Sequence, residues 1–175
     1  IYNPVITPLF ISQREEIPSH PWFREERSFP LIMGMGRLER EKDFPTLMKA
    51  FAALWENCRF DPNSTPRLVI VGEGRERPKL EMLASKLGIS EWVSLPGFVP
   101  NPASYLKQCK VFVLSSIFEG LPGALIQALA CGCAVVSTDC PHGPREILNN
   151  GMYGHLVPVG DVQAMAEAMV HALQE

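Results

Sequence analysis

Two basic side chains in one short segment have the types and spacing to bind an anion. Arg37 and Lys42 lie five residues apart in GMGRLEREKD, which follows the apolar run Phe29–Met35. Together they can neutralise a diphosphate, because the guanidinium offers a planar fork of donors and the ammonium a point charge. The segment also fits a solvated loop, since three of the four residues between the two cations are charged as well.

An acidic side chain stands at a second position of this kind. Glu119 follows the apolar run Lys110–Leu114, and Pro122 three residues later suits the first turn of a helix. The free N–H groups and the dipole at a helix start favour anions and polar ligands. Glu119 can therefore either cap this helix or help to hold a bound ligand.

The helix predicted from Leu121 to Cys131 is apolar on all sides except at Gln127. Gly132 suits the position at which such a helix ends. An all-apolar pattern is typical of a buried helix. We therefore expect the Gln127 amide to need a hydrogen-bond partner, either a polar ligand or a neighbouring backbone group.

Predicted strands and helices alternate along the chain and position these residues. The strands are Phe29–Met35, Arg67–Val71, Trp92–Leu95, Lys110–Leu114, Ala134–Ser137 and His155–Val159; the helices are one capped by Asp43, one ending at Gly88, Pro102–Gln108, the helix before Gly132, Pro144–Leu148 and one capped by Asp161. This alternation predicts an α/β fold, a Rossmann-like parallel sheet with helices on both faces. Ligands of such sheets bind beyond the carboxyl ends of the strands.

The first 28 residues show no clean period. We predict a β-like start at Ile1–Ile6, followed by a loop to the aromatic pair Trp22 and Phe23, which we expect to pack on the domain edge. Residues 1–28 are therefore assigned to a linker or edge segment and residues 29–175 to one domain. Because the start lacks an initiator methionine and a basic signal region, we expect a piece of a longer protein.

Composition excludes several classes of function. The 175 residues are 46% apolar and 20% charged, with a net charge of −3, whereas nucleic-acid surfaces need a basic face. The chain lacks an apolar run long enough to span a membrane. Five cysteines without a CxxC pair fit a reducing, cytoplasmic setting. The run Cys131, Cys133, Cys140 and His142 matches no common zinc spacing, so we expect no metal.

Two glycine pairs are incomplete nucleotide motifs. Gly34 and Gly36 form one pair, Gly72 and Gly74 the other, and both lack the third glycine of a dinucleotide fingerprint. The chain also lacks the Walker A lysine motif, which disfavours an ATPase or a kinase.

The segment from Glu119 to Gly132, EGLPGALIQALACG, resembles the E-x7-E region of the retaining GT-B glycosyltransferases of family 4. Gln127 stands where that family usually has its second acidic residue. GRLEREKDFPTLMKAF resembles the family's G-R-L…K-G…A-F stretch, with Asp43 where the family often has glycine. LVIVGEGRERPKLE, VSLPGFVPN and STDCPHGPREILNNGMYGHLVPVGD are similar to further family segments, in order, so the resemblance runs from about Phe29 to the end.

The resemblance implies that residues 29–175 are the C-terminal, sugar-nucleotide-binding half of a GT-B enzyme whose N-terminal acceptor domain is absent from this chain. It implies a nucleotide-diphosphate sugar as donor, with UDP favoured over GDP or ADP, and a saccharide or lipid-linked acceptor. Transfer would retain the anomeric configuration without a metal or other cofactor. In this scheme Arg37 and Lys42 bind the diphosphate, Glu119 the sugar hydroxyls and Gln127 the ribose; further donor contacts fall to Gly36, Phe98, Val99, Gly120 and Leu121.

Two other classes of protein remain open at this point. A GT-B-fold sugar-nucleotide epimerase shares the architecture, although it should not carry the EGLP…ALACG frame. A non-catalytic α/β interaction domain would leave Arg37, Lys42 and Gln127 without a common purpose. We expect a cytoplasmic location. The absent domain could in addition associate peripherally with the inner face of the membrane.

Overall fold

A six-stranded parallel sheet organises the chain. The computed structural model describes residues 5–23, 27–57 and 64–175. The strands are β1 (Leu31–Met35), β2 (Arg67–Val71), β3 (Val93–Gly97), β4 (Val111–Leu114), β5 (Ala134–Thr138) and β6 (His155–Val157). They lie in the order β3-β2-β1-β4-β5-β6, with every neighbouring pair parallel. The two central strands are therefore β1 and β4, which precede the candidate ligand residues.

Helices connect the strands and cover the sheet. The described α-helices are α1 (Pro8–Gln13), α2 (Phe44–Asn57), α3 (Arg77–Lys86), α4 (Pro102–Gln108), α5 (Gly123–Ala130), α6 (Pro144–Ile147) and α7 (Val162–Gln174). One turn of 3-10 helix at Arg40–Lys42 stands between β1 and α2. These bounds agree with the predicted elements from Phe29 onward to within about two residues, the usual uncertainty at element ends.

Side chains of the central strands alternate between two hydrophobic clusters, one on each face of the sheet. In β1, Ile32 packs in the cluster that includes residues of α2, α3 and α7, whereas Leu31 and Met33 pack with residues of α1, α4 and α5. A strand buried on both faces needs apolar residues at every position, which explains its continuous apolar run. The predicted Rossmann-like α/β fold is confirmed.

Where the structure describes the first 28 residues, the secondary structure predicted for them is wrong. Residues 1–4 lie outside the described ranges, residues 5 and 6 form no strand, and α1 replaces part of the predicted loop. Helix α1 begins because the Thr7 hydroxyl accepts a hydrogen bond from the Phe10 N–H at 3.1 Å and Pro8 occupies the first turn. Phe10 and Phe23 are buried in the same hydrophobic cluster, so the described parts of this segment pack onto the domain edge.

The two predicted aspartate caps have different outcomes. Asp161 caps α7 as expected, since its Oδ1 accepts a hydrogen bond from the Ala164 N–H at 2.9 Å. Asp43 precedes α2 but has left-handed backbone angles (φ 45°, ψ 44°), not the extended backbone of a side-chain cap. Its carbonyl, rather than its carboxylate, accepts the Thr46 N–H. Among residues with a side chain, aspartate is one of the few that adopt this conformation readily.

Candidate functional site

The loop that carries both predicted cations follows β1 and is bonded to the chain at the ends of β2 and β4, the two strands that flank β1. We call residues 36–43 the basic loop. On one side, the Gly36 N–H donates to the Val71 carbonyl at 3.0 Å and the Leu38 N–H to the Glu73 carbonyl at 2.9 Å. On the other side, the Ser115 hydroxyl donates to the Lys42 carbonyl at 2.7 Å. The basic loop is therefore held in place at the carboxyl edge of the sheet between β2 and β4.

The second glycine pair has a structural purpose in this arrangement. A Cβ atom on Gly72 would lie 1.8 Å from the Gly36 carbonyl oxygen, and one on Gly74 would lie 2.3 Å from the Leu38 carbonyl oxygen. Both distances are far inside van der Waals contact, so only glycine allows the two loops to approach this closely. The pair that failed as a dinucleotide motif thus lets the turn after β2 support the basic loop.

Lys42 and Glu119 meet although 77 positions separate them in the sequence. Lys42 Nζ lies 2.6 Å from Glu119 Oε1, and the two side chains are only 20% and 8% exposed. The Ser116 hydroxyl donates to the same carboxylate oxygen, also at 2.6 Å. Burial of an ionised carboxylate is costly unless it is paired and hydrogen-bonded, and both conditions hold here. Among the described residues no group donates to the other oxygen, Oε2.

The helix-cap alternative for Glu119 is not what the structure shows. The Glu119 carboxylate bonds to Lys42 and Ser116, not to N–H groups of α5. The backbone N–H groups of Gly120 and Leu121 donate no hydrogen bond within the described part of the chain. They are therefore available to a ligand beside the carboxylate.

Arg37, the second predicted cation, lies in a different environment from Lys42. Its side chain is 80% exposed, and its one ion pair among the described residues joins Nη2 to Glu41 Oε1 at 3.8 Å. An exposed pair at this distance adds little to stability. Arg37 is therefore free to turn toward an anion, whereas Lys42 already points at Glu119.

A cleft of about 390 Å³ brings Arg37 together with three other residues predicted to contact the ligand. Gly36 and Arg37 line one side of this cleft, and Phe98 and Val99 line the other. Phe98 is 75% exposed, which leaves its ring open to stack on a planar ligand. Gly36 also adjoins the Lys42 side chain, because a Cβ on Gly36 would lie 3.2 Å from Lys42 Cε. The cleft therefore begins beside the ion pair.

The prediction that the helix around Gln127 is buried on all sides is wrong. Only Leu125 and Ala128 of α5 are fully buried. Ile126 of α5 lines a second cleft of about 480 Å³ together with Gly120 and Leu121, which precede the helix, so α5 is partly accessible on that side. Gln127 is half-buried and makes no side-chain hydrogen bond among the described residues. The backbone bond considered as its structural alternative is therefore not formed.

The described cysteines are all buried. Burial raises the pKa of the Cys133 thiol to about 12 and raises that of Cys109, which makes both unreactive. Within residues 5–23, 27–57 and 64–175, no group of three or more histidine, cysteine, aspartate or glutamate side chains could hold a metal ion. No helix in those ranges is long and apolar enough to cross a membrane. Cys58 lies outside the described residues.

Three hydroxyl residues of the site were missed at the sequence level. Ser115 and Ser116 follow β4, and Thr138 ends β5, where its hydroxyl donates to the Ser116 carbonyl at 2.6 Å. The signal was a serine pair directly after a central strand, at the edge where ligands of such sheets bind. Serine is common in loops, so this signal alone does not distinguish a site residue.

Comparisons with known proteins identify relatives of this chain. A family model described as "Glycosyl transferases group 1" matches residues 29–175. The chain is 36% identical over 144 residues to N-acetylgalactosamine-N,N'-diacetylbacillosaminyl-diphospho-undecaprenol 4-alpha-N-acetylgalactosaminyltransferase of Campylobacter jejuni. The aligned region covers 82% of this chain and 37% of that protein. It is 34% identical over 140 residues to the lipopolysaccharide core biosynthesis glycosyltransferase LpsE of Rhizobium meliloti, covering 80% and 38%.

Solved structures show the same fold. Anabaena HepE in complex with UDP superposes with a TM-score of 0.73 at 21% identity, covering 84% of this chain and 40% of that one. A glycosyltransferase from Rickettsia africae gives a TM-score of 0.73 at 17% identity, covering 97% and 42%. At these identities the likeness concerns the fold alone. The chain spans less than half the length of these relatives.

Proposed function

This chain belongs to the glycosyl transferases of group 1, and from that premise we propose that it binds a nucleotide-diphosphate sugar, specifically a UDP-sugar, for retaining and metal-independent transfer. The acceptor is a saccharide or a lipid-linked sugar, held by a further N-terminal domain of the complete protein. Two of the relatives support this class of acceptor, since one is named for a diphospho-undecaprenol-linked sugar and the other for lipopolysaccharide core biosynthesis. Peripheral association with the inner face of the membrane would follow from such an acceptor.

One observation supports the donor site most strongly, namely the buried contact of Lys42 with Glu119 beside the cleft at Gly36. Lys42 has three N–H donors, so it can keep Glu119 and still bind a phosphate oxygen. Arg37, at the mouth of the same cleft, supplies the second positive charge. We assign the diphosphate to this pair of cations.

The remaining donor contacts follow from the positions around that pair. Glu119 Oε2 accepts from a sugar hydroxyl, with the N–H groups of Gly120 and Leu121 beside it. The uracil lies in the cleft between the basic loop and the turn at Phe98 and Val99. The Gln127 amide bonds to the ribose, for which its lack of a protein partner leaves it available.

The chemical step requires stabilisation of a leaving group. The bond between the anomeric carbon and the phosphate oxygen breaks, and the nucleoside diphosphate leaves with the electron pair. The acceptor hydroxyl oxygen bonds to the same carbon, and its proton passes to the departing phosphate oxygen. Arg37 and Lys42 stabilise the negative charge that develops on the diphosphate, as preorganised cations do at many sites of phosphate chemistry. The chain needs no resident metal for this role, and we propose none.

The test uses the full-length protein. Isothermal titration with UDP, GDP and ADP, followed by transfer assays with UDP-sugars and chelator present, should show preference for UDP and activity without added metal. Nuclear magnetic resonance of the product should show the donor's anomeric configuration. An epimerase would instead convert the UDP-sugar without any acceptor, and an interaction domain would bind no nucleotide; either result contradicts the proposal.

A further inference from the structure

Glu119 is held by a hydroxyl as well as by an ammonium. Ser116 Oγ and Lys42 Nζ both donate to Glu119 Oε1, each at 2.6 Å. The Ser116 side chain is almost completely buried, so water does not compete for its hydroxyl. A bond from a buried donor to a carboxylate is among the stronger hydrogen bonds in proteins. Ser116 therefore restrains the carboxylate independently of Lys42.

Ser116 is itself fixed by the neighbouring strand. The Thr138 hydroxyl on β5 donates to the Ser116 carbonyl at 2.6 Å and also contacts the Leu114 carbonyl at 3.3 Å. On the opposite side, the Ile117 N–H donates to the Glu41 carbonyl at 2.8 Å. The loop that carries Ser116 is thus bonded both to β5 and to the basic loop. Its hydroxyl is a fixed point relative to the sheet.

Lys42 and Ser116, which both donate hydrogen bonds to Glu119, would respond differently to a bound sugar nucleotide. Lys42 must turn part of its hydrogen bonding toward the diphosphate, whereas Ser116 has no such second partner. From this difference we infer that Ser116 is a positioning residue, which keeps the Glu119 carboxylate aimed at the donor sugar while Lys42 is shared with the diphosphate. This inference rests on the proposed function, and it assigns a role in transfer to a side chain that touches no substrate.

The test compares three single variants of the full-length protein. Ser116→Ala removes the hydroxyl, and Ser116→Cys keeps the volume but offers only a weak donor. Ser104→Ala is the matched control, because Ser104 in α4 is also buried and its hydroxyl donates to a backbone carbonyl, that of Asn101. We expect both Ser116 variants to lower kcat/KM for the UDP-sugar about tenfold or more, the effect of one lost bond to a charged group, while the affinity for UDP stays within about twofold.

A double-mutant cycle separates positioning from general stability. If Ser116 acts through Glu119, Ser116→Ala should weaken UDP-sugar binding in the wild-type background and have no further effect in the Glu119→Ala background. Equal losses in both backgrounds would overturn the inference, as would Ser116 variants that transfer as well as Ser104→Ala. A wild-type protein that binds no nucleotide sugar would overturn the proposed function, and the inference with it.

Discussion

The two halves of the candidate site are built differently. In the half that contains Lys42, Ser116 and Glu119, charged groups are sheltered and bonded to one another before any ligand arrives. In the half that contains Phe98 and Val99, an exposed ring borders an open and largely apolar cleft. Buried charged groups need partners within the folded protein. Removal of one partner of a buried ion pair typically lowers the stability of the fold by roughly 3–5 kcal/mol. An apolar cleft carries no such requirement.

This comparison teaches which contacts depend on the fold. The bonded half should lose stability together with ligand binding when it is altered, because its side chains also satisfy one another. The open half should lose ligand binding alone. Each variant below is therefore measured twice in the full-length protein, by titration with UDP and by the free energy of unfolding.

Lys42→Ala should have the largest effect, because it leaves the Glu119 carboxylate sheltered with one donor fewer and removes a phosphate contact. We expect the binding of UDP to weaken by at least about 1.5–3 kcal/mol, the range for one hydrogen bond to a charged group, because the variant also leaves the Glu119 carboxylate without its cation beside the diphosphate. The free energy of unfolding should also fall. Lys49→Ala, at an exposed position on α2, is the control. Unchanged UDP affinity would show that the basic loop binds no diphosphate.

Arg37→Ala should weaken UDP binding by about 1.5–3 kcal/mol, the range for a hydrogen bond to a charged group. Unlike Lys42→Ala, it should leave the free energy of unfolding unchanged, because Arg37 is exposed and its pair with Glu41 is long. Arg75→Ala removes a comparably exposed ion pair and serves as the control. A stability loss as large as that of Lys42→Ala would remove the distinction between the two cations.

Gly72→Ala tests whether the turn after β2 supports the basic loop. The new methyl group would overlap the Gly36 carbonyl oxygen, so we expect a stability loss of about 1–3 kcal/mol or more together with weaker UDP binding. Gly160→Ala is the control for backbone strain, since Gly160 also has a positive φ (75°) but faces open space. If the two variants lose equal stability and neither affects UDP, the close approach is unimportant for the site.

Gln127→Ala should weaken UDP binding by about 0.5–1.5 kcal/mol, the net contribution of a neutral hydrogen bond. The free energy of unfolding should not change, because the amide has no partner among the described residues. Gln127→Glu, which restores the residue usual in the family, should keep both binding and activity. A variant that loses stability but binds UDP normally would show a structural role instead.

Acidification should have the smallest effect. Burial lowers the pKa of His20, whose Nδ1 accepts the Trp22 N–H and whose Nε2 lies 2.9 Å from Ser94 Oγ. A lowered pKa in the folded state means that the contribution to stability is complete above the ordinary pKa of 6.5 and is lost as the pH falls through the folded value. Urea unfolding between about pH 7.5 and pH 5 should show this loss in the wild type and less of it in His20→Asn. An identical pH dependence in both proteins would contradict it.

Much of the fold could be predicted because its signals are local. Apolar runs and helical spacing placed the strands and helices from Phe29 onward, and turn glycines such as Gly88 and Gly132 marked helix ends. Helix α1 was missed because its signal is only a Thr7 cap followed by proline. The partial burial of α5 was missed because periodicity describes which residues are apolar, not whether another surface covers them.

The charged residues of the candidate site could be predicted from the sequence, whereas its hydroxyl residues and the bonds within it could not. Arg37, Lys42 and Glu119 were named from residue type and position relative to strand ends. Their different environments depend on contacts between distant segments, which no local pattern contains. Gly36 leaves room for the stem of Lys42, and the Ser115 hydroxyl holds the Lys42 carbonyl.

The exposure of Arg37 also has a kinetic consequence. A guanidinium that projects into water attracts an anion from a distance, and this attraction decays over about 8–10 Å in physiological salt. Lys42 is sheltered and paired with Glu119, so it interacts with the ligand only once the ligand is bound. Arg37 should therefore govern the association rate of the nucleotide, and that rate should depend strongly on ionic strength. Lys42 should govern the dissociation rate, which should depend only weakly on ionic strength.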